Sequence, residues 1–402
     1  MPAGIIFSTS AKIPKNKGKN IALSITGKNP KKQTINYLNL GIMSNYTYLE
    51  GASINLLSDF STFSAKGFQL SGFVNITGYK SYGIQMSGLA NISGYKASGL
   101  RLGGLMNISG NSFNGFQLSG LGNIAGKSQN GVSISGLINM NSKESSGLQI
   151  SGLSNIIGEN QKGVSVSGLM NVSGGSMKGV QVSSLLNIAG KTNYGLQLSA
   201  LGNINIRNTG VQFSGLSNFS SKNEGAQIGI TNISGTSAKG VQFGIINISN
   251  DSCNISRQIG LINIKPTTRT QLIVSSGNIN KASVAVRFKN RMLYTQFGAG
   301  LIAGEITDNT SISVTYRTGL SLPIIKDKFN INTDIGYSHI ETLNNKGIPD
   351  RLYSIQPRIG LEYSFNKKIG FFAAGGYSWT RTYKWNKAFS NNPMFELGII
   401  LF

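Results

Sequence analysis

The carboxylate pair best placed for catalysis is Glu144 and Glu159, fifteen residues apart. If the chain winds back on itself near that period, stacking brings the two to about 5 Å, the separation a retaining glycosidase uses. Both lie in polar stretches beside Lys143 and Asn160, where the desolvation that would raise one pKa is missing. No catalytic residue is therefore assigned and the chain is read as non-enzymatic, with a secreted carbohydrate-acting β-solenoid enzyme as the rival. Cys253 and His339 are single copies, too few for zinc, which needs three or four protein ligands, and too few for a disulfide within the chain. The phosphate-loop pattern GxxxxGK[ST] is absent from any strand-to-helix junction. No cofactor and no metal is expected.

What would have to position any such residues is a repeat. GFQLSGFVNI starts at Gly67, GIQMSGLANI at Gly83, GLRLGGLMNI at Gly99 and GFQLSGLGNI at Gly115. The register runs on through Gly131, Gly147, Gly163, Gly179, Gly195, Gly210, Gly225 and Gly240, with an atypical copy from Gly51 and a truncated one from Gly260. Counting from the Gly as zero, offsets 1 and 3 and the residue after the repeated Asn are apolar, and offset 6 is apolar in the first ten copies. Period two followed by a break in parity describes a short strand that turns at the Gly of offset 5. Segments of 5 or 6 residues are too short to span a bilayer as hairpins. Stacked as solenoid coils about 4.8 Å apart, they turn each apolar offset into a core stripe, and offsets 11 to 15 read as an exposed loop.

Two polar rows accompany the stripes. Asn75, Asn91, Asn107, Asn123, Asn139, Asn155, Asn171, Asn187 and Asn203 fall sixteen residues apart and predict a hydrogen-bonded structural ladder. The ladder also explains sequons such as Asn75-Ile76-Thr77 without any glycan. Gln69, Gln85, Gln117, Gln149, Gln181 and Gln197 stand at offset 2, between two positions taken as core, so they are expected to face outward. That row, with Ser at offset 4, is the candidate ligand face, for a surface glycan, against a plain solvated ladder.

Beyond Pro266 the period changes. Ile312, Val314, Tyr316, Leu320 and Leu322 alternate with Ser311, Ser313, Thr315, Arg317 and Ser321, and Ile355, Ile359, Leu361 and Tyr363 alternate with Ser354, Arg358, Glu362 and Ser364. About eight such strands, several of 10 to 16 residues and rich in terminal aromatics such as Tyr363, Phe365, Tyr377, Trp379, Tyr383 and Trp385, fit an up-and-down barrel of bilayer-spanning length, with a soluble sandwich as the alternative. In a membrane barrel Ile312, Val314, Ile359, Leu361, Leu397 and Ile399 face lipid, and Arg317, Arg358 and Glu362 face the lumen. The expected chain is all-β: a basic N-terminal segment over 1–34, a β-solenoid of about thirteen 16-residue coils over 35–264, and an antiparallel barrel or barrel-like sheet over 265–402.

The 52 Gly and 8 Pro, without a Gly-X-Y period, exclude collagen and argue against helices, because interior Gly is costly there. The 37 Lys and Arg against 14 Asp and Glu are spread along the chain, not gathered with stacking aromatics on one face, so nucleic acid is not an expected partner. Single Lys residues just before the repeat Gly (Lys66, Lys162, Lys178, Lys239) read as solvated charge or as contacts for lipopolysaccharide phosphates.

The units GxQxSGLxNI, the leading segment IALSITGKN at Ile21 to Asn29, LNLGIMS at Leu38 to Ser44, and GLINI running into long strands resemble the bacterial surface-repeat proteins common in Bacteroidetes-type genomes. The resemblance covers residues 20 to about 402. It implies an envelope protein with an outer-membrane-like end and brings no catalytic residues. The expected setting is the outer membrane or cell surface, with outer-membrane lipid or lipopolysaccharide as partner and the solenoid presented for adhesion or glycan binding. The opening MPAGIIFSTSAKIPKNKGKN has only a short apolar stretch, so no secretion signal is visible in it.

Overall fold

Repetition and alternation both reappear in the computed structural model, which describes residues 6–8, 21–24, 35–237, 239–250, 257–290, 292–302, 311–325, 328–343, 351–366, 368–384 and 386–401. Cys253, the turn at 344–347, Trp385, Phe402 and most of the basic N-terminal segment lie outside the described residues. Among the described residues, regular structure is strand throughout: a parallel β-solenoid of about 12 turns, then an antiparallel barrel of eight strands. The chain forms two compact units, Met1–Gly229 and Ile230–Phe402.

In the first unit each repeat makes one coil. The Lys80–Ser87 strand bends at Gly83, a second bend falls at Gly88 and Leu89, Ala90–Ser93 forms the next strand, and a third bend at Gly94 and Tyr95 leads into the following coil. Successive coils pair in parallel, like on like, Gly83 with Gly99 and Asn91 with Asn107. Gly is required at offset 0 for two reasons. Its φ lies between 105° and 132° in the eight coils from Gly67 to Gly179, a region L side chains avoid. A Cβ on Gly83 would also stand 2.2 Å from the Gly67 carbonyl oxygen of the preceding coil. Before the first full repeat, Ile6–Ser8 pairs antiparallel with Ile21–Ser24, which pairs in parallel with Leu38–Gly41.

The parity of the coil is the reverse of the sequence expectation. Gln69, Gln85, Gln117, Gln149, Gln181 and Gln197 are all at most 2 % exposed, and the Ser of offset 4 and the Asn of offset 8 are buried with them. The apolar residues at offsets 1, 3, 6 and 9 point outward, Ile84, Leu89 and Leu105 among the exposed ones. The supposed loop is in part a third strand face, with offset 14 (Ser81, Ala97, Phe113, Ser145) buried. The physical reason is space and self-complementarity. A 16-residue coil encloses only a narrow lumen, which Ser and Asn fill, and amides stacked at the coil spacing can bond to one another.

The second unit contains the last coils, from Thr231 to Ile264, and the barrel. Asn232 donates to Asn247 and Asn247 to Asn263, each at 2.9 Å, and Gln258 donates to Gln242 at 2.8 Å, so the polar core continues to the end of the repeat. The barrel strands are Arg269–Gly277, Asn280–Asn290, Leu293–Ile302, Ser311–Ile325, Phe329–Thr342, Arg351–Ser364, Ile369–Thr382 and Ala388–Leu401, each antiparallel to the next. Arg269–Gly277 pairs with Ala388–Leu401 and closes the barrel, removing both sheet edges.

Candidate functional site

The barrel wall sorts its residues by chemistry. Outward positions hold Ile312, Val314, Ile359, Leu361, Leu397 and Ile399, all exposed, whereas Arg317, Arg358 and Glu362 are buried inside. Aromatics gather at both ends of this apolar band. Phe329 and Tyr363 meet at 6.4 Å between ring centroids at one end, with Phe371 opposite Tyr363 in the ladder. At the other end Tyr383 packs on Tyr353 at 5.2 Å and on His339 at 5.4 Å, and Tyr377 on Trp379 at 5.5 Å. Tyr353 and Tyr363 are ten residues apart on one strand, which spans about 25 Å at the usual barrel tilt.

The interior is filled. Ile279, Ile302, Ile340, Leu352 and Met394 form one apolar cluster, and Ile273, Ala285, Phe372 and Ile400 a second. The remaining space holds an ionic network. Arg358 reaches Asp334 at 2.9 Å and also pairs with Glu396, while Arg317 reaches Asp334 at 3.1 Å. Glu362 takes Arg287 at 2.7 Å, Lys289 at 3.1 Å and the Asn332 amide at 2.7 Å. Tyr294 donates to Asp334, and Ser275 to Glu396 at 2.5 Å. Asp334 falls on the polar parity of its run, opposite Ile331 and Ile335, whereas Arg287, Lys289, Glu396 and Tyr294 were not singled out from sequence. Their signal was the same parity rule that marked Arg317, Arg358 and Glu362. On the outer wall, the last solenoid coil covers Thr295 and Tyr316: Asn263 Nδ2 donates to Thr295 Oγ1 at 3.2 Å, and the Tyr316 hydroxyl to the Gly260 carbonyl at 3.0 Å.

In the solenoid, each Asn from Asn75 to Asn203 donates to the Asn Oδ1 of the next coil at 2.8–3.0 Å, the last of these bonds reaching Asn218. The same Nδ2 also donates across the corner to a backbone carbonyl, from Met86 to Leu198, at 2.6–2.9 Å. The row thus staples two faces of each coil as well as joining coils. Asn75, buried with its amide so engaged, is not a glycan acceptor in this fold. The Gln row bonds internally, Gln85 to Gln69 at 2.7 Å and Gln197 to Gln181 at 2.8 Å, so it offers no outward ligand face.

Two charges interrupt these rows. Arg101 takes the place of Gln, fully buried, donating to Ser109 Oγ at 2.8 Å and the Ile108 carbonyl at 3.2 Å, with Nε and Nη2 unpartnered. Its burial pulls the guanidinium down to about 9 and leaves Gln85 Oε1 and Gln117 Oε1 without donors. Asp59 takes the place of Asn, opposite Asn75 in the register. Its burial, against hydrogen bonds from Tyr46, Ser53 and Gln69, pushes the carboxyl up to about 6.

Glu159 does not stack on Glu144. Its backbone N–H bonds the Lys143 carbonyl, and its carboxylate pairs with Lys143 Nζ at 3.3 Å, half exposed. Both glutamates stay in water, so the pair has no desolvated acid to offer. Among the described residues no cluster of three or more His, Cys, Asp or Glu could hold a metal. The corner glycines leave a shallow apolar groove of about 650 Å³ on the outside of four coils, beside Leu70, Met86, Leu102 and Leu118. No family model, curated protein or solved structure matches the chain.

Proposed function

We propose that the chain is a non-enzymatic structural protein of a bacterial outer membrane or cell surface, anchored by its C-terminal barrel and presenting the repeat solenoid. The carrying observation is the barrel's outward apolar band with aromatics at both ends, set against an interior in which the acidic groups Asp334, Glu362 and Glu396 are ion-paired. Water does not require an apolar exterior, and a bilayer does. The packed lumen favours an anchor over a channel, since the ionic network and two apolar clusters occupy the space a pore would need. The resemblance to bacterial surface-repeat proteins supports the same setting.

Fractionation tests this reading. Exported to the envelope of a Gram-negative host, the protein should stay with outer membranes through a high-salt wash that strips charge-bound proteins. It should also migrate differently on gels with and without boiling, as a closed barrel does. Recovery of the whole chain in the soluble fraction would overturn the membrane assignment and leave the fold intact.

A further inference from the structure

The outer surface of the solenoid is divided face by face. In the coils from Gly67 to Gly210, the outward residues of two faces, offsets 1 and 3 and offsets 7 and 9, are all Phe, Leu, Ile, Val, Met, Ala, Gly or Ser. Where those faces meet, the offset-6 row forms a ridge; Leu89, Leu105, Leu121, Leu137, Leu153 and Leu169 are each 38–42 % exposed. Apart from buried Arg101, every charged residue from Lys66 to Glu224 lies at offsets 12 to 15, on the third face and its corners, ten Lys or Arg against three Glu. Tyr79 and Tyr95 stack there at 4.9 Å, with the ammonium groups of Lys80 and Lys96 4.9 and 5.4 Å over their rings.

We infer that the solenoid is a lipid-binding keel: it lies along a membrane surface with the Leu ridge and its two flanking faces among acyl chains and the basic, tyrosine-bearing face at anionic headgroups. Three physical points select this occupant. Soluble proteins rarely expose more than a few hundred Å² of continuous apolar surface, and here two faces run for ten coils, roughly 50 Å. A protein partner with a flat face covers one side of a wedge and leaves the other wet, whereas a fluid apolar phase covers both. Excess Lys beside Tyr is the composition that suits the headgroup layer. The charge row also sets the orientation. Because it runs the length of the rod, a solenoid standing across the bilayer would carry Lys through the hydrocarbon, and one lying flat keeps every charge at the interface. The ridge then reaches on the order of 10 Å below the basic face, the depth of interfacial insertion.

The inference stands on the solenoid's own surface and does not require the barrel to span the membrane. The test uses the full chain with Cys253→Ser, reconstituted in phosphatidylglycerol–phosphatidylcholine vesicles, with single spin labels at Leu105→Cys or Leu137→Cys on the ridge, Lys127→Cys or Lys191→Cys on the basic face, and Leu361→Cys on the barrel. Ridge labels should collide with oxygen rather than with a water-soluble nickel chelate, by a ratio about fivefold above that of the basic-face labels. Ridge labels as open to the chelate as basic-face ones would overturn the inference; a lipid-exposed Leu361 label beside that result would leave the barrel reading standing. Lipid-exposed ridge labels with a water-exposed Leu361 label would uphold the keel and sink the barrel reading. Spin–spin broadening between ridge labels of different molecules would assign the ridge to a second copy and overturn the lipid assignment.

Discussion

The solenoid and the barrel both turn polar groups inward and apolar groups outward, yet they fill their interiors with different chemistry. The polar part of the solenoid core is made of neutral amides and hydroxyls, Asn on Asn and Gln on Gln, whereas the polar part of the barrel interior is built on Arg, Lys, Asp and Glu in ion pairs. The difference follows from repetition. A stack of near-identical coils sets each residue on a copy of itself, and an amide, carrying both donor and acceptor, bonds to its copy while a charge repels it. The eight barrel strands differ in sequence, so an Arg on one can meet an Asp on another. Charges stabilise the barrel as partners, and among the described residues of the coils they enter the solenoid core only as faults, at Asp59 and Arg101.

Removing a barrel acid tests this contrast most severely. Asp334→Asn leaves Arg317 without its carboxylate and Arg358 with Glu396 alone, and should lower stability by about 3 to 5 kcal/mol, read from urea unfolding in detergent or lipid. A loss below about 1 kcal/mol would show that the network is not holding the barrel. On the outer wall, Leu361→Arg should cost about 2 to 4 kcal/mol in a bilayer and far less in a detergent micelle; equal effects in both would count against a lipid-facing wall.

In the solenoid the sign should invert at the faults. The Asp59 carboxyl is raised from its ordinary value of 3.8 to about 6, so its contribution is fully present below pH 3.8 and is lost as pH rises through 6. Asp59→Asn should remove that slope and stabilise the first unit at pH 7 by about 2 to 3 kcal/mol, because the new amide can donate to Asn75 Oδ1, which has no donor in the parent. An unchanged pH profile of thermal unfolding would disprove this assignment of the slope. A ladder residue should behave oppositely. Asn139→Ala deletes bonds to Asn155 Oδ1 and the Ile150 carbonyl and should cost about 2 kcal/mol, seen as faster amide exchange in the coils on either side. The smallest effect is expected from Arg101→Gln, a gain of about 1 kcal/mol as Gln85 Oε1 regains a donor; a loss would mean that the buried guanidinium has a partner beyond Ser109 and the Ile108 carbonyl.

Much of this was legible in the chain before any coordinates. The sixteen-residue spacing of Gly and Asn leads to a parallel stack in register, since only a fixed coil length sets Asn91 on Asn107. Long alternating runs such as Ser354 to Ser364 lead to the barrel wall and place Arg358 and Glu362 on its inner side. Alternation also establishes that Gln85 points opposite to Ile84 and Met86, but says nothing about which of the two directions is inward. A clue lay in the repeat itself: in the ten copies from Gly67 to Gly210 offset 8 is always Asn, while offset 1 ranges over Phe, Ile, Leu and Val. Tight interiors restrict side-chain identity more than open faces do. Sequence alone thus determined the strands, the period and the two opposed parities. The direction of each coil was decided by the tertiary stack, where a lumen three short faces wide has room for Asn and Ser, and where an amide finds its donor and acceptor one coil above and one coil below.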